Sequence, residues 1–288
     1  MDARRTRAAA GALSVLGFLG LGLSGCASRA RAKTIVPAAE PSPRAVATCP
    51  PSSESPLARA DSPRERIVEL GRSINGAPLE LHVFGDAGRP TFVFGGIHGS
   101  EPTSAYVAGR LVEYLRENPE AYAGTSVAVL PKANPDGLER RSRTNARRVD
   151  LNRNFPARNW HRGSKRSSNY GGPAAASEPE TRALIRAVEV LRPARIVTIH
   201  AMNGDQCNNF DGPARHLAEI MRQHNRYPVR RSIGYPTPGS FGNWAGVDRG
   251  IPTITLELRQ GRSGPRCWAE NENALLAVIR AGVESVAR

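Results

Sequence analysis

From residue 62 onward the chain alternates between two periodicities, and that alternation limits its fold more than any other feature. Short runs rich in branched and aromatic residues occur at Leu79–Phe84, Thr91–Phe94, Ser126–Leu130, Arg195–His200 and Thr253–Leu258, too brief for helices. Between them, apolar residues recur at helical spacing near Ser104–Asn118, Glu178–Leu191, Ala214–His224 and Glu270–Val286. Strands interleaved with helices predict a single α/β domain over residues 62–288, with a mixed, mostly buried β-sheet flanked by helices. Ser177-Glu178-Pro179-Glu180 has the form of a capping box and predicts a helix start. Ser62-Pro63-Arg64-Glu65 has the same form and predicts a short helix ending near Gly71. The sequence shows no internal repeat.

The preceding residues read differently. Arg4, Arg5 and Arg7 precede an uncharged stretch from Ala8 to Leu23, the order of a signal peptide, and that stretch is short for a membrane span. It ends in Leu23-Ser24-Gly25-Cys26, which resembles the lipobox of bacterial lipoproteins. That resemblance implies a signal peptide over residues 1–25, a lipid anchor on Cys26 and residence in the cell envelope. Ala27, where no aspartate follows the cysteine, implies outer-membrane sorting, facing periplasm or surface. Residues 26–61 are rich in Pro, Ala and Ser with few large apolar groups, and read as a tether.

With 40% hydrophobic residues in 288, the chain has enough apolar material for a sizeable core, which excludes collagen-like, coiled-coil and wholly disordered readings. The formal net charge of +14 comes almost entirely from arginine, since Lys33, Lys132 and Lys165 are the only lysines. A basic chain suits nucleic acid, anionic lipid or carboxylate-bearing substrates, and charge alone does not choose among them.

The chemistry-bearing residues lie at strand ends. Thr91–Phe94 runs into Gly95-Gly96, then His98 and, three residues later, Glu101. An imidazole and a carboxylate just past a strand's C-terminal end can reach one cation in the crevice where α/β ligands bind. The pair alone is a weak signal, because His and Glu at this spacing are common on solvated helix faces. A third ligand is needed, and His200 closes the apolar run from Arg195. Glu257 stands inside the otherwise apolar Thr253–Leu258, where an unpaired charge is costly. Either it pairs with an arginine or it faces a polar site as a base. Between these elements, Asn134-Pro135-Asp136-Gly137 and the stretch to Pro156 hold Arg140, Arg141, Arg143, Arg147, Arg148 and Arg153. Phe155 is the one aromatic there, so stacking platforms for nucleic-acid bases are missing. Gripping carboxylates and polarising a carbonyl is the alternative use for such arginines.

Taken in order, GGIHGSE, NPDG, RTN, VDLNRNF, YGGP with SEPETRAL, His200 and LELR resemble the zinc metallocarboxypeptidase family of carboxypeptidase A. Tyr235–Gly246 and the stretch after it look most like the bacterial branch of murein peptide amidases. The resemblance implies a Zn2+ cofactor held by His98, Glu101 and His200, with Glu257 as general acid and base. It implies that Asn152 and Arg153 hold the substrate's free carboxylate, and that Tyr235 closes over the bound substrate. It further implies that Arg143 polarises the scissile carbonyl, with Arg147 and Arg148 as competitors for that role.

The implied reaction is hydrolysis of a peptide amide next to a free carboxylate, in this branch the bond between γ-D-Glu and meso-diaminopimelate of murein peptides. The alternatives are a general C-terminal carboxypeptidase and an inactive wall-binding lipoprotein. The peptide is the expected partner, nucleic acid is not, and the sequence is silent on oligomeric state. Export makes a disulfide between Cys207 and Cys267 the expectation for the two remaining domain cysteines, with buried free thiols or a pairing with Cys49 as the alternatives. The segment Asn208–Gly212 past His200 is read as a loop lining the substrate pocket. His82, His161, His216 and His224 lack partners at ligand spacing.

Overall fold

The computed structural model describes residues 65–231 and 233–282. The expected signal peptide, lipid anchor on Cys26 and tether lie outside them. Eight strands form one sheet in the order β1-β2-β4-β3-β5-β8-β6-β7. They are β1 (Arg66–Arg72), β2 (Pro78–Phe84), β3 (Thr91–Phe94), β4 (Val127–Leu130), β5 (Arg195–Met202), β6 (Cys207–Asp211), β7 (Val229–Arg230) and β8 (Thr253–Arg259). The central neighbours β4, β3, β5 and β8 run parallel, and antiparallel pairs flank them on both sides. This is the mixed sheet the alternation predicts.

Strand alternation divides the core between the two faces. Val93, Val197, Ile199, Ile254 and Leu256 pack with α1 (Pro102–Glu117), α4 (Arg215–Asn225) and α5 (Gly264–Arg280) on one side. Phe92, Phe94 and Ile196 pack on the other, against α3 (Pro179–Leu191) and the aromatic group Phe155, Phe241 and Trp244. The four residues of β3 and the four of β4 are all buried, as expected of inner strands covered on both faces.

Three expectations are corrected. The segment after Ser62 is the edge strand β1, not a helix: Ile67 and Val68 favour extended backbone, and pairing with β2 outweighs the capping signal. The helix after Ser177 starts where predicted, yet its capping box does not form. Glu178 is the N-cap without a side-chain cap bond, and Glu180 accepts instead from the Ile74 amide at 3.1 Å and from Asn145 at 3.2 Å. Cys207 and Cys267 are both buried free thiols. Cys267 packs in the hydrophobic core, while burial, helped by the neighbouring Glu257 carboxylate, pushes the Cys207 thiol up to about 11.

Candidate metal centre and substrate cleft

The C-terminal ends of β3, β5 and β8 converge on one cleft. β3 delivers His98 through Gly95-Gly96, and Glu101 follows as the N-cap of α1. Its carboxylate makes no cap bond. Glu101 Oε1 lies 2.7 Å from His98 Nδ1, while Oε2 lies 3.2 Å from His200 Nδ1 and accepts from the Ala201 amide at 2.9 Å. Gly99 permits this loop, because a Cβ there would sit 1.9 Å from the Gly137 carbonyl carbon at the start of α2 (Pro135–Glu139).

His98, Glu101 and His200 are all buried, and their donor atoms lie within 4.8 Å of one another. Two imidazoles and a carboxylate in that arrangement fit a zinc ion with one position open. The electrostatics agree. Burial pulls His98 toward its neutral form, but the Glu101 and Asp150 carboxylates outweigh it and push its pKa up to about 9. Burial likewise opposes the charge on Glu101, and His98 and His200 overcome it, holding that carboxyl well below the usual range. The pocket is thus built for a cation.

Asp150 lies behind the triad. Fully buried, it receives His98 Nε2 at 3.1 Å, Arg143 Nε at 3.0 Å and the Asn152 amide at 2.9 Å. The pair formed with Arg143 aims the guanidinium at the triad, where Nη1 stands 3.6 Å from Glu101 Oε1. Arg147 and Arg148 line a different cavity, so of the three candidate arginines only Arg143 reaches the centre.

His200 and Glu257 are register partners across the parallel β5/β8 pair, so their side chains stand abreast on one face. Glu257 is buried and makes no ion pair among the described residues, which excludes the arginine-paired reading. Burial raises its pKa, as suits a proton acceptor. Asn152, Arg153 and Tyr235 line the same cavity of about 430 Å³. Asn152 Oδ1 accepts from the Phe241 amide at 2.9 Å, fixing the segment opposite, and Tyr235 stands at the rim, 52% exposed. All eight residues named from the sequence therefore meet in one cleft.

A second cavity, of about 290 Å³, continues from the first and shares Asn152, His200, Tyr235, Thr237 and Glu257 with it. Its floor is the polar face of the sheet, where alternation brings Thr198, Asn209, Asp211 and Thr255 up beside His200 and Glu257. Asn209 and Asp211 belong to β6, so the segment read as a loop does line the pocket, but as a strand. Asp150 escaped sequence reasoning, although it stands within the VDLNRNF motif.

A buried triad fit to hold a metal ion, a free glutamate alongside and a cleft at parallel strand ends define a metal-dependent hydrolase of α/β architecture. The sequence matches the zinc carboxypeptidase family over residues 55–211, and the chain belongs to that family, whose members are zinc-dependent peptidases. It is 35% identical over 202 residues to murein peptide amidase A of Escherichia coli K12, covering 65% of this chain and 79% of that one. The human carboxypeptidase N catalytic chain is 29% identical over 213 residues, covering 60% and 44% respectively. Among solved structures, the murein-tripeptide amidase from Escherichia coli O157 superposes with a TM-score of 0.61 at 32% identity, covering 76% of this chain and 94% of that one. Carboxypeptidase A from Helicoverpa armigera gives a TM-score of 0.67 at 20% identity, over 78% and 70%, a likeness of fold.

Proposed function

We propose that this peptidase hydrolyses the amide between γ-D-Glu and meso-diaminopimelate in murein peptides, with His98, Glu101 and His200 holding Zn2+. The observation that carries the reading is one continuous cleft in which Glu257, Arg143, Asn152 and Arg153 face the triad. Similarity to the two murein amidases supports the substrate. Zinc, when bound, supplies a Lewis acid and lowers the pKa of water. Asn152 and Arg153 anchor the free carboxylate, which sets the bond presented to Glu257. Glu257 takes the proton of the attacking water and returns it to the departing amine. Arg143, held by Asp150, polarises the carbonyl and stabilises the developing oxyanion, a role worth roughly 3–4 kcal/mol of barrier. Tyr235 covers the substrate from the rim.

The leader supports a place in the cell envelope, outer-membrane sorted, with a lipid anchor on Cys26. Incorporation of labelled fatty acid that persists in Cys26→Ser would contradict that anchor. For the activity, the zinc-loaded full chain is assayed on L-Ala-γ-D-Glu-meso-diaminopimelate and on α-linked carboxypeptidase peptides, with and without chelator. Chelator-sensitive release of diaminopimelate, lost in Glu257→Gln, is expected. Cleavage of the α-linked peptides alone refutes the murein reading, and turnover that survives Glu257→Gln refutes the assignment of the base.

A further inference from the structure

Away from the cleft, positive charge gathers on one surface. Residues 140–177 hold ten arginines and lysines against one acid, Asp150, which is fully buried and already engaged by His98 and Arg143. Arg143 and Arg153 line the cleft. Arg140, Arg141, Arg148, Arg162, Lys165 and Arg166 are exposed and form no ion pair among the described residues. Arg147 reaches Glu178 only at 4.0 Å, and Arg158 reaches Asp248 at 3.9 Å. The stretch packs on the α3 side of the sheet through Leu151 and Phe155, whereas the exposed acids Glu113, Glu117 and Glu120 lie on or just after α1, across the sheet.

Part of this surface is held stiffly. Asn145 is fully buried; its Oδ1 accepts from the Arg147 and Val149 amides at 3.0 and 3.1 Å, and its Nδ2 donates to Glu178 at 2.8 Å. The Asp150 amide donates to the Tyr170 carbonyl at 2.8 Å and the Gly171 amide to the Arg162 carbonyl at 3.0 Å, which ties the loop carrying Lys165 beside that turn. Arg147, Arg148 and Lys165 thereby come around one cavity of about 390 Å³. Glu178, the acid at that cavity, is 1% exposed and accepts from Asn145 and Ser177, so the free charge there is positive. The cavity shares no lining residue with the catalytic cleft and is not one of its subsites.

The chemistry of the surface narrows its partner. None of Phe155, Trp160 and Tyr170 is exposed, so bases find nothing to stack on, and Val149 and Leu151 are buried, so no aliphatic wedge enters lipid tails. What remains is a one-sided array of guanidiniums, whose planar forks suit phosphate oxygens. A bilayer carrying anionic headgroups presents phosphates in a plane and attracts each cation held within a Debye length of it.

We propose that this face docks on the headgroups of an anionic bilayer, with Arg147, Arg148 and Lys165 gathered around one headgroup phosphate. The proposal shares with the reading above only the envelope location, and it stands or falls apart from both the lipid anchor and the peptidase activity.

The test uses the full chain carrying Cys26→Ser, which removes acylation, and vesicles of phosphatidylcholine alone or mixed equally with phosphatidylglycerol. Partitioning should favour the phosphatidylglycerol vesicles, and that preference should vanish in high salt. Arg147→Gln/Arg148→Gln should lower the preference by about tenfold or more, and so should Lys165→Gln/Arg166→Gln, whose exposed positions leave the fold alone. Arg222→Gln/Arg226→Gln removes the same charge from the exposed end of α4, on the far side of the sheet, and should keep most of it. Equal losses in all three double variants would reduce the effect to net charge and overturn the proposal. Equal partitioning to both vesicles, or wild-type preference in both patch variants, overturns it too. Salt-sensitive retention by RNA or an acidic polysaccharide without a phosphatidylglycerol preference would give the surface to a soluble polyanion instead.

Discussion

Asp150 touches three functional elements at once: the ring of His98, the guanidinium of Arg143 and the backbone entering Asn152. A carboxylate on the far nitrogen of a ligating histidine fixes its tautomer and orientation, and losing it typically weakens metal binding about 10–100-fold. Asp150→Asn should weaken Zn2+ binding by that factor in competition with a chromophoric chelator; unchanged affinity would show that Asp150 serves only the fold. Asp211 makes a prediction of opposite kind. Its folded pKa of about 6 lies above the ordinary 3.8, so the fold prefers the protonated acid. The resulting destabilisation is absent below pH 3.8, grows as pH rises and is complete above about 6. Partial solvent contact discounts it to about 1–2 kcal/mol. Asp211→Asn should therefore raise stability by that amount at pH 7.5 and leave it unchanged near pH 3.5, in denaturant titrations at both pH values. Glu257 was legible in the sequence because a charge inside an apolar strand demands a reason. Asp150 was not, since nothing local shows which ring nitrogen a residue 52 positions away will face.

Among the elements, those with a strong period of their own were readable and those defined by partners were not. Phe92, Val93 and Phe94 declare a buried strand, whereas β1 is a strand because β2 lies beside it. In β6 the polar Asn208, Asn209 and Asp211 hide the pattern, because one face lines a cavity and Asn208 joins a buried amide network with Asn225. The α5 helix begins at Gly264-Pro265, earlier than Glu270, since its first turn buries Cys267 and Trp268. That burial also bears on the disulfide. Mass mapping of non-reduced peptides should find Cys207 and Cys267 both as free thiols, unreactive to maleimide until the protein unfolds; a linked peptide would refute this arrangement. The most fragile junction is between the His98 loop and α2. Gly99→Ala would force a Cβ into the Gly137 backbone, and chemical denaturation should show a loss of about 3 kcal/mol or more together with weakened metal binding. Stability within 1 kcal/mol of wild type would mean that the two segments separate freely.

At the scale of the whole molecule, the sheet order explains why residues far apart in sequence make one site. β3 and β5 are neighbours although about 100 residues separate them, so His98 and Glu101 meet His200 only once the parallel centre has assembled. Bound Zn2+ therefore joins segments that the unfolded chain keeps apart, and it should stabilise the native state by about 4 kcal/mol at a thousandfold excess over Kd. This separates ligand from base, which activity alone does not do, because loss of either abolishes turnover. Thermal unfolding with and without chelator should show a large zinc-dependent rise in Tm for wild type. Glu257→Gln should keep that rise, since Glu257 stands beside the triad without belonging to it, whereas Glu101→Gln should lose most of it. The opposite pattern would exchange the roles of the two carboxylates, and with them the direction from which water reaches the substrate.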